Sequence, residues 1–211
     1  MRKGLFSVLS TGVIVLALGF GTSAATATTT TTWTISPGGT VTGTAGKTVV
    51  TVTRSAAQLV CTSSSVGATL KGGTGQINPL GQVTTVAYNS CTFSSAGGSI
   101  TTSASSSNPW HLRGVTYSSG VTHGRITNIQ GSFSITGPLG TCSGTFAGTS
   151  ATTSGFVRAT YNNSTGVLTT GGGNLHAWNV TGQCLGDIST GDAVTIVAHY
   201  KISPAQTITS P

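Results

Sequence analysis

Between the Gly191-Asp192 turn and Pro204 the chain reads AVTIVAHYKI, and Val194, Ile196, Ala198, Tyr200 and Ile202 occupy every second position. Thr195, His199 and Lys201 fall between them, which is the period of a strand buried on one face. A strand of this kind cannot cover its apolar side alone, so the rest of the chain has to supply neighbours. It does: Thr48 to Thr53 (TVVTVT) is β-branched throughout, and Arg125 to Thr136 sets Ile129, Phe133 and Ile135 against Asn128, Gln130, Ser132 and Ser134. Phe156 to Tyr161 and Val167 to Thr170 flank the turn Asn162-Asn163-Ser164-Thr165-Gly166 as a hairpin. Val83 to Phe93 carries Val83, Ala87, Cys91 and Phe93 on one side and Val86 and Tyr88 on the other, so it is expected to lie centrally with both faces covered. Ser94 to Asn108 is the most polar stretch and reads as a long loop or a hairpin tip.

No segment repeats apolar residues at i, i+3, i+4 and i+7 over three turns, so no helix is expected beyond the N-terminal region. The fold class is therefore all-β: an antiparallel β-sandwich or a closed β-barrel of ten or more short strands, with both architectures open on spacing alone. The N-terminal residues read differently. Arg2 and Lys3, the apolar run from Leu5 to Phe20 and the small residues up to Ala27 have the three-part layout of a secretory signal peptide. The expected organisation is a signal peptide over 1–27, a disordered threonine-rich lead-in over 28–32 and a single all-β domain over 33–211. No later segment approaches the ~18 apolar residues of a membrane helix, so no integral membrane segment is expected after signal removal.

All four cysteines, Cys61, Cys91, Cys142 and Cys184, lie in the expected mature domain. An even number in an exported chain predicts two disulfides, and four cysteines allow three pairings. Pairing of sequence neighbours, Cys61 with Cys91 and Cys142 with Cys184, would close loops of about 30 to 40 residues, each worth roughly 3 to 4 kcal/mol on the chain-entropy model. No C-x-x-C occurs, which argues against a zinc knuckle or a dithiol redox pair.

Charge is positive but thin. Nine Lys and Arg stand against two acids, Asp187 and Asp192, for a net charge of +7. Beyond Arg2 and Lys3 the cations come singly along the chain rather than in a run, so no nucleic-acid partner is expected. Mild attraction to anionic surface polymers and ordinary solubility charge are the two readings of this balance.

With two acids five residues apart around one turn, paired-carboxylate catalysis has little to draw on, and each aspartate suits a turn-former. No serine sits in a G-x-S-x-G elbow, and His111, His123, His176 and His199 have no motif that fixes one as a base. His176 and His199 could share a metal if their strands paired in the right register, although hydrogen-bonded polar positions explain them equally simply, and neither metal nor cofactor is assigned. The aromatic pairs Trp110-His111, His176-Ala177-Trp178 and His199-Tyr200 offer a stacking platform for sugar rings, with Asn174, Asn179 and Gln183 near Trp178 to bond hydroxyls. Against that, tryptophans bury most area in a core. The candidate binding residues are thus Trp110, His111, His176, Trp178 and His199.

Toward the C-terminus, Tyr161-Asn162-Asn163-Ser164-Thr165-Gly166, Cys184-Leu185-Gly186, Gly191-Asp192, Tyr200, Ser203-Pro204 and Gln206-Thr207-Ile208-Thr209 form a pattern that resembles small secreted all-β proteins of actinobacteria. The resemblance implies export from a Gram-positive cell and an all-β fold, and brings no catalytic residues with it. The expectation is a secreted, non-catalytic β domain, a binding or structural module at the cell surface or in the medium, with a cell-wall polymer or other glycan as partner. The alternative is a carrier of a small apolar ligand, which would need an interior cavity above ~300 Å3. Self-association through exposed strand edges is a further expectation.

Overall fold

The computed structural model describes residues 31–93 and 96–211, so the signal peptide expected over 1–27 and residues 28–30 of the lead-in lie outside the described residues. Every regular element among those described is a strand. In chain order they are β1 Trp33–Ser36, β2 Gly39–Ala45, β3 Thr48–Val52, β4 Gln58–Leu70, β5 Gly73–Gln76, β6 Gly81–Phe93, β7 Ala96–Thr102 and β8 Trp110–Ser118. Then follow β9 Val121–Ile129, β10 Gly131–Gly137, β11 Gly140–Ala147, β12 Gly155–Asn162, β13 Val167–Gly173, β14 Leu175–Gly182, β15 Ala193–Ser203 and β16 Thr207–Thr209.

Thirteen strands form one antiparallel sheet that closes on itself, because β13 pairs with β15 as well as with β12. Three long strands organise it. β6 pairs with β4 along its length, while its other edge is shared between β8 at Gly81 to Val83 and β7 at Cys91 to Phe93. β15, the alternating strand from Ala193, is divided likewise: β13 and β14 take one edge, β2 and β3 the other. The result is two closed circuits that share β4, β6 and β15. The first runs β15-β13-β12-β9-β8-β6-β4-β2 and the second β15-β14-β11-β10-β7-β6-β4-β3. Closure settles the choice between sandwich and barrel in favour of the barrel.

β6 lies between two neighbours, as expected, but the reason differs. Its apolar residues change parity along the strand, and Val83, Val86, Tyr88, Cys91 and Phe93 all face the interior while Ala87 is exposed. Two irregularities cause this: a register shift at Gly67/Ala68 of β4, and Ser90, whose φ is +47°. Extra residues at a bulge re-aim the side chains beyond them. β4 changes parity at the same level, with Leu59 and Cys61 buried before the break and Ser64, Ala68 and Leu70 after it.

A small sheet, β16-β1-β5, lies against the first circuit. It is anchored by Trp33 and Ile35, both buried, and by reciprocal bonds: Tyr161 Oη donates to Gln206 O and accepts from Gln206 N, each at 2.9 Å. Asn163 repeats the device on Ile208, donating to its carbonyl and accepting from its amide. Both disulfides join sequence neighbours, Cys61 with Cys91 across β4 and β6, and Cys142 of β11 with Cys184 after β14. Of the polar stretch over 94–108, residues 96–102 form β7, which pairs antiparallel with β6, and 103–108 lead on to β8.

Candidate functional site

The expected binding residues separate on folding. Trp110 is 6% exposed, facing a void between the shared strands, and its Nε1 donates to Ser103 Oγ at 3.2 Å. It is core, as its area favours, and offers no face for stacking. His111 lies on the outer face of β8, opposite Thr127. His199 is exposed on β15, 3.1 Å from Thr169 Oγ1 through Nδ1.

His176 and His199 do sit on strands that pair, but the register sets His176 opposite Ala193. His199 is six residues further along β15, roughly 20 Å away at strand rise, so the two imidazoles cannot share a metal. No group of three or more His, Cys, Asp or Glu among the described residues could hold a metal ion.

Trp178 and His176 remain together on the outer face of β14, their ring centroids 6.1 Å apart and tilted by 41°. Trp178 is half-buried, and its Nε1 donates to Gly148 O at 3.0 Å, which fixes the indole. His176 Nδ1 donates to Asn174 O at 3.0 Å. Of the amides expected near the indole, Asn174 is structural, its Oδ1 accepting from Phe156 N at 2.7 Å, and Gln183 lies by the turn of β10 and β11. Asn179 is different. It has φ of +51° and sits where β14 bulges against β11, between the pairs Ser143 with Thr181 and Thr145 with Trp178. A non-glycine residue held at positive φ in a bulge is a re-aimed side chain.

Asn179 opens onto a cleft of about 360 Å3 that also takes in Thr101, Gln130, Ser132, Thr145 and Ala147. Its floor is a cross-strand row. Thr101 of β7 pairs with Ser132 of β10, Ser132 with Thr145 of β11, and Thr145 with Trp178 of β14. At ~4.8 Å between strands the row extends about 14 Å, hydroxyls along it and an indole at its end. Periodicity could nominate Trp178, but Thr101, Gln130 and Ser132 lack any distinguishing sequence signal because register alone brings them together.

Elsewhere the chemistry is occupied. Arg54 Nε and Nη2 donate to Asp192 at 2.8 and 2.9 Å, Nη2 also reaches Gly186 O, and Ser189 N donates to the same carboxylate at 2.7 Å. The Arg54 guanidinium holds the Asp192 carboxyl below the usual carboxylate range. Inside the circuits voids of about 80, 40 and 10 Å3 are enclosed, and a larger one of about 280 Å3 opens at the end of the second circuit between Phe93, Ile135, Leu139, Cys142, Leu185 and Ile188. The void of about 80 Å3, lined by Val41, Leu70, Leu112 and Tyr161 and faced by Thr122, is of a size for water or a very small apolar molecule rather than a metabolite.

Compared with known proteins, the chain matches no family model, no curated protein and no solved structure. What fold and site define together is a closed antiparallel β protein with a hydroxyl- and amide-lined outer cleft, Trp178 being the strand partner of its Thr145. Its two disulfides suit an oxidising compartment, and no helix among the described residues is long and apolar enough to cross a membrane.

Proposed function

We propose that this chain is an exported, non-catalytic module that binds neutral glycan chains in the cleft bordered by Trp178. One observation carries the reading: the cleft collects the hydroxyls of Thr101 and Ser132 and the side-chain amides of Gln130 and Asn179, none of them hydrogen-bonded to a described residue, next to Asn179's neighbour Trp178, whose indole is half-buried. A sugar needs both parts, a flat apolar face for its ring C–H groups and uncommitted donors and acceptors for its hydroxyls. A cleft of about 360 Å3 falls within the range of small-molecule sites, whereas the apolar pocket at the end of the second circuit, about 280 Å3, falls just short of the volume a carrier would need. The resemblance to small secreted actinobacterial proteins is compatible with a ligand met outside the cell.

The test is titration with soluble fragments of neutral polymers, chitin and cellulose oligomers and peptidoglycan glycan strands, followed by calorimetry and tryptophan fluorescence. One of these is expected to bind. Trp178→Ala should weaken it by roughly 5- to 10-fold, the equivalent of about 1 to 1.5 kcal/mol of lost stacking, and Asn179→Ala should weaken it less. Absence of binding by all of them, or undiminished affinity in Trp178→Ala, would remove the proposal.

A further inference from the structure

The arginines come singly in sequence, but the fold collects three of them. Arg113 of β8 pairs directly with Arg125 of β9, and Arg125 with Arg158 of β12. All three are exposed. Their strand neighbours Gly114, Ile126, Val157 and Ala159 are buried in the first circuit, so the exposed arginine side chains share its outer face. Antiparallel partners have Cα atoms about 5 Å apart, so three guanidinium groups start from a row about 10 Å long. One pleat to either side the face carries His111 opposite Thr127, and His123 opposite Thr160.

No acid answers this row. The sequence holds two, and Asp192 is committed to Arg54. The guanidinium groups of Arg113, Arg125 and Arg158 make no hydrogen bond or ion pair with any described residue. Like charges placed directly opposite on neighbouring strands destabilise a sheet. Here the arrangement occurs twice in succession, and a bound anion would relieve it.

We propose that this face binds a linear polyol-phosphate polymer through its phosphodiester groups, at a surface separate from the cleft beside Trp178. The guanidinium fork matches the paired oxygens of a phosphate, and three cations within about 10 Å suit a chain that carries charge on every short repeat. Single-stranded nucleic acid, the other phosphodiester polymer, is held by a cationic groove together with bases stacked on exposed aromatic rings. The aromatic ring here is already covered, since the Arg125 guanidinium carbon lies 4.7 Å from the centroid of Phe156. A polyol phosphate asks for no such ring.

The experiment measures binding of poly(glycerol phosphate) to the intact protein between 50 and 200 mM salt, with oligothymidylate and polygalacturonate as comparison polymers. With about three contacts the logarithm of affinity should fall with the logarithm of salt with a slope near −2, a loss of about 16-fold over that range. Changing Arg113, Arg125 and Arg158 together to Gln should flatten the slope and weaken binding at least tenfold at low salt. Circular dichroism and thermal midpoint should be unchanged or raised, which separates lost binding from lost fold. Arg54→Gln and Trp178→Ala should leave this binding intact, so its outcome is independent of the glycan cleft. Salt-independent binding, undiminished affinity in the triple variant, or tighter binding of either comparison polymer would overturn the proposal.

Discussion

A Cβ built on Gly114 of β8 would stand 2.3 Å from Cζ2 of Trp33, closer than any real contact. Trp33 is 1% exposed and leads the sheet that covers the first circuit, so this glycine is where the covering layer meets the barrel wall. Gly114→Ala should therefore lift the indole and cost about 1 to 3 kcal/mol, read as a lowered denaturant midpoint with an altered near-ultraviolet spectrum. An unchanged midpoint would mean that Trp33 has room to move. Two asparagines show how far single residues were legible. Asn128 and Asn179 both sit at positive φ in bulged strands. Asn128 is fully engaged, its Nδ2 donating to Asn108 Oδ1 and Pro109 O and its Oδ1 accepting from Ser154, so it ties loops together. Asn179 faces the cleft. In sequence they are alike, because what separates them is which distant loop comes within reach.

At the scale of elements, alternation in the strand from Ala193 was read correctly, and Val194, Ile196, Ala198, Tyr200 and Ile202 are all buried. The same counting misread β6, because its parity changes at bulges that leave no periodic trace. β14 does pair with β15, the condition for a shared metal, yet the separation of His176 from His199 depends on register, which counting along one strand does not supply. The arginine row was hidden for the same reason. The turn preceding β15 is held to the end of β3 by Arg54 and Asp192. Since the folded-state pKa of Asp192 is depressed, chiefly by its hydrogen bond to Arg54, this contribution is present above the ordinary carboxylate pKa and is lost as pH falls through the lower folded value. Acid unfolding followed below about pH 4 should lose part of its pH dependence in Arg54→Gln. An identical acid limb in that variant would show that the pair contributes nothing.

For the molecule as a whole, the expected all-β class and both neighbour disulfides are present, and closure supplies what spacing left open. Closure also weakens the expectation of edge-to-edge self-association. Among the described residues every strand of the large sheet has a partner on each side over at least part of its length, and the outer strands of the covering sheet, β5 and β16, are short. Burial raises the phenol pKa values of Tyr88, Tyr161 and Tyr200, the first and last at the junction of the circuits and Tyr161 beneath the covering sheet. A raised folded-state pKa favours folding fully below the ordinary value of 10.0 and ceases to do so as pH rises through the folded value. These three phenols should therefore titrate in one steep step above pH ~10, together with unfolding, when tyrosinate absorbance and circular dichroism are followed in parallel. Two separated steps would mean that the circuits come apart independently.

β4, β6 and β15 each serve as wall to both circuits, so a tear begun in either one runs into backbone that the other still grips. A protease in the surrounding medium would then find surface loops to nick but no half-opened domain to feed on. How long the protein lasts becomes a matter of how seldom the whole tube comes undone.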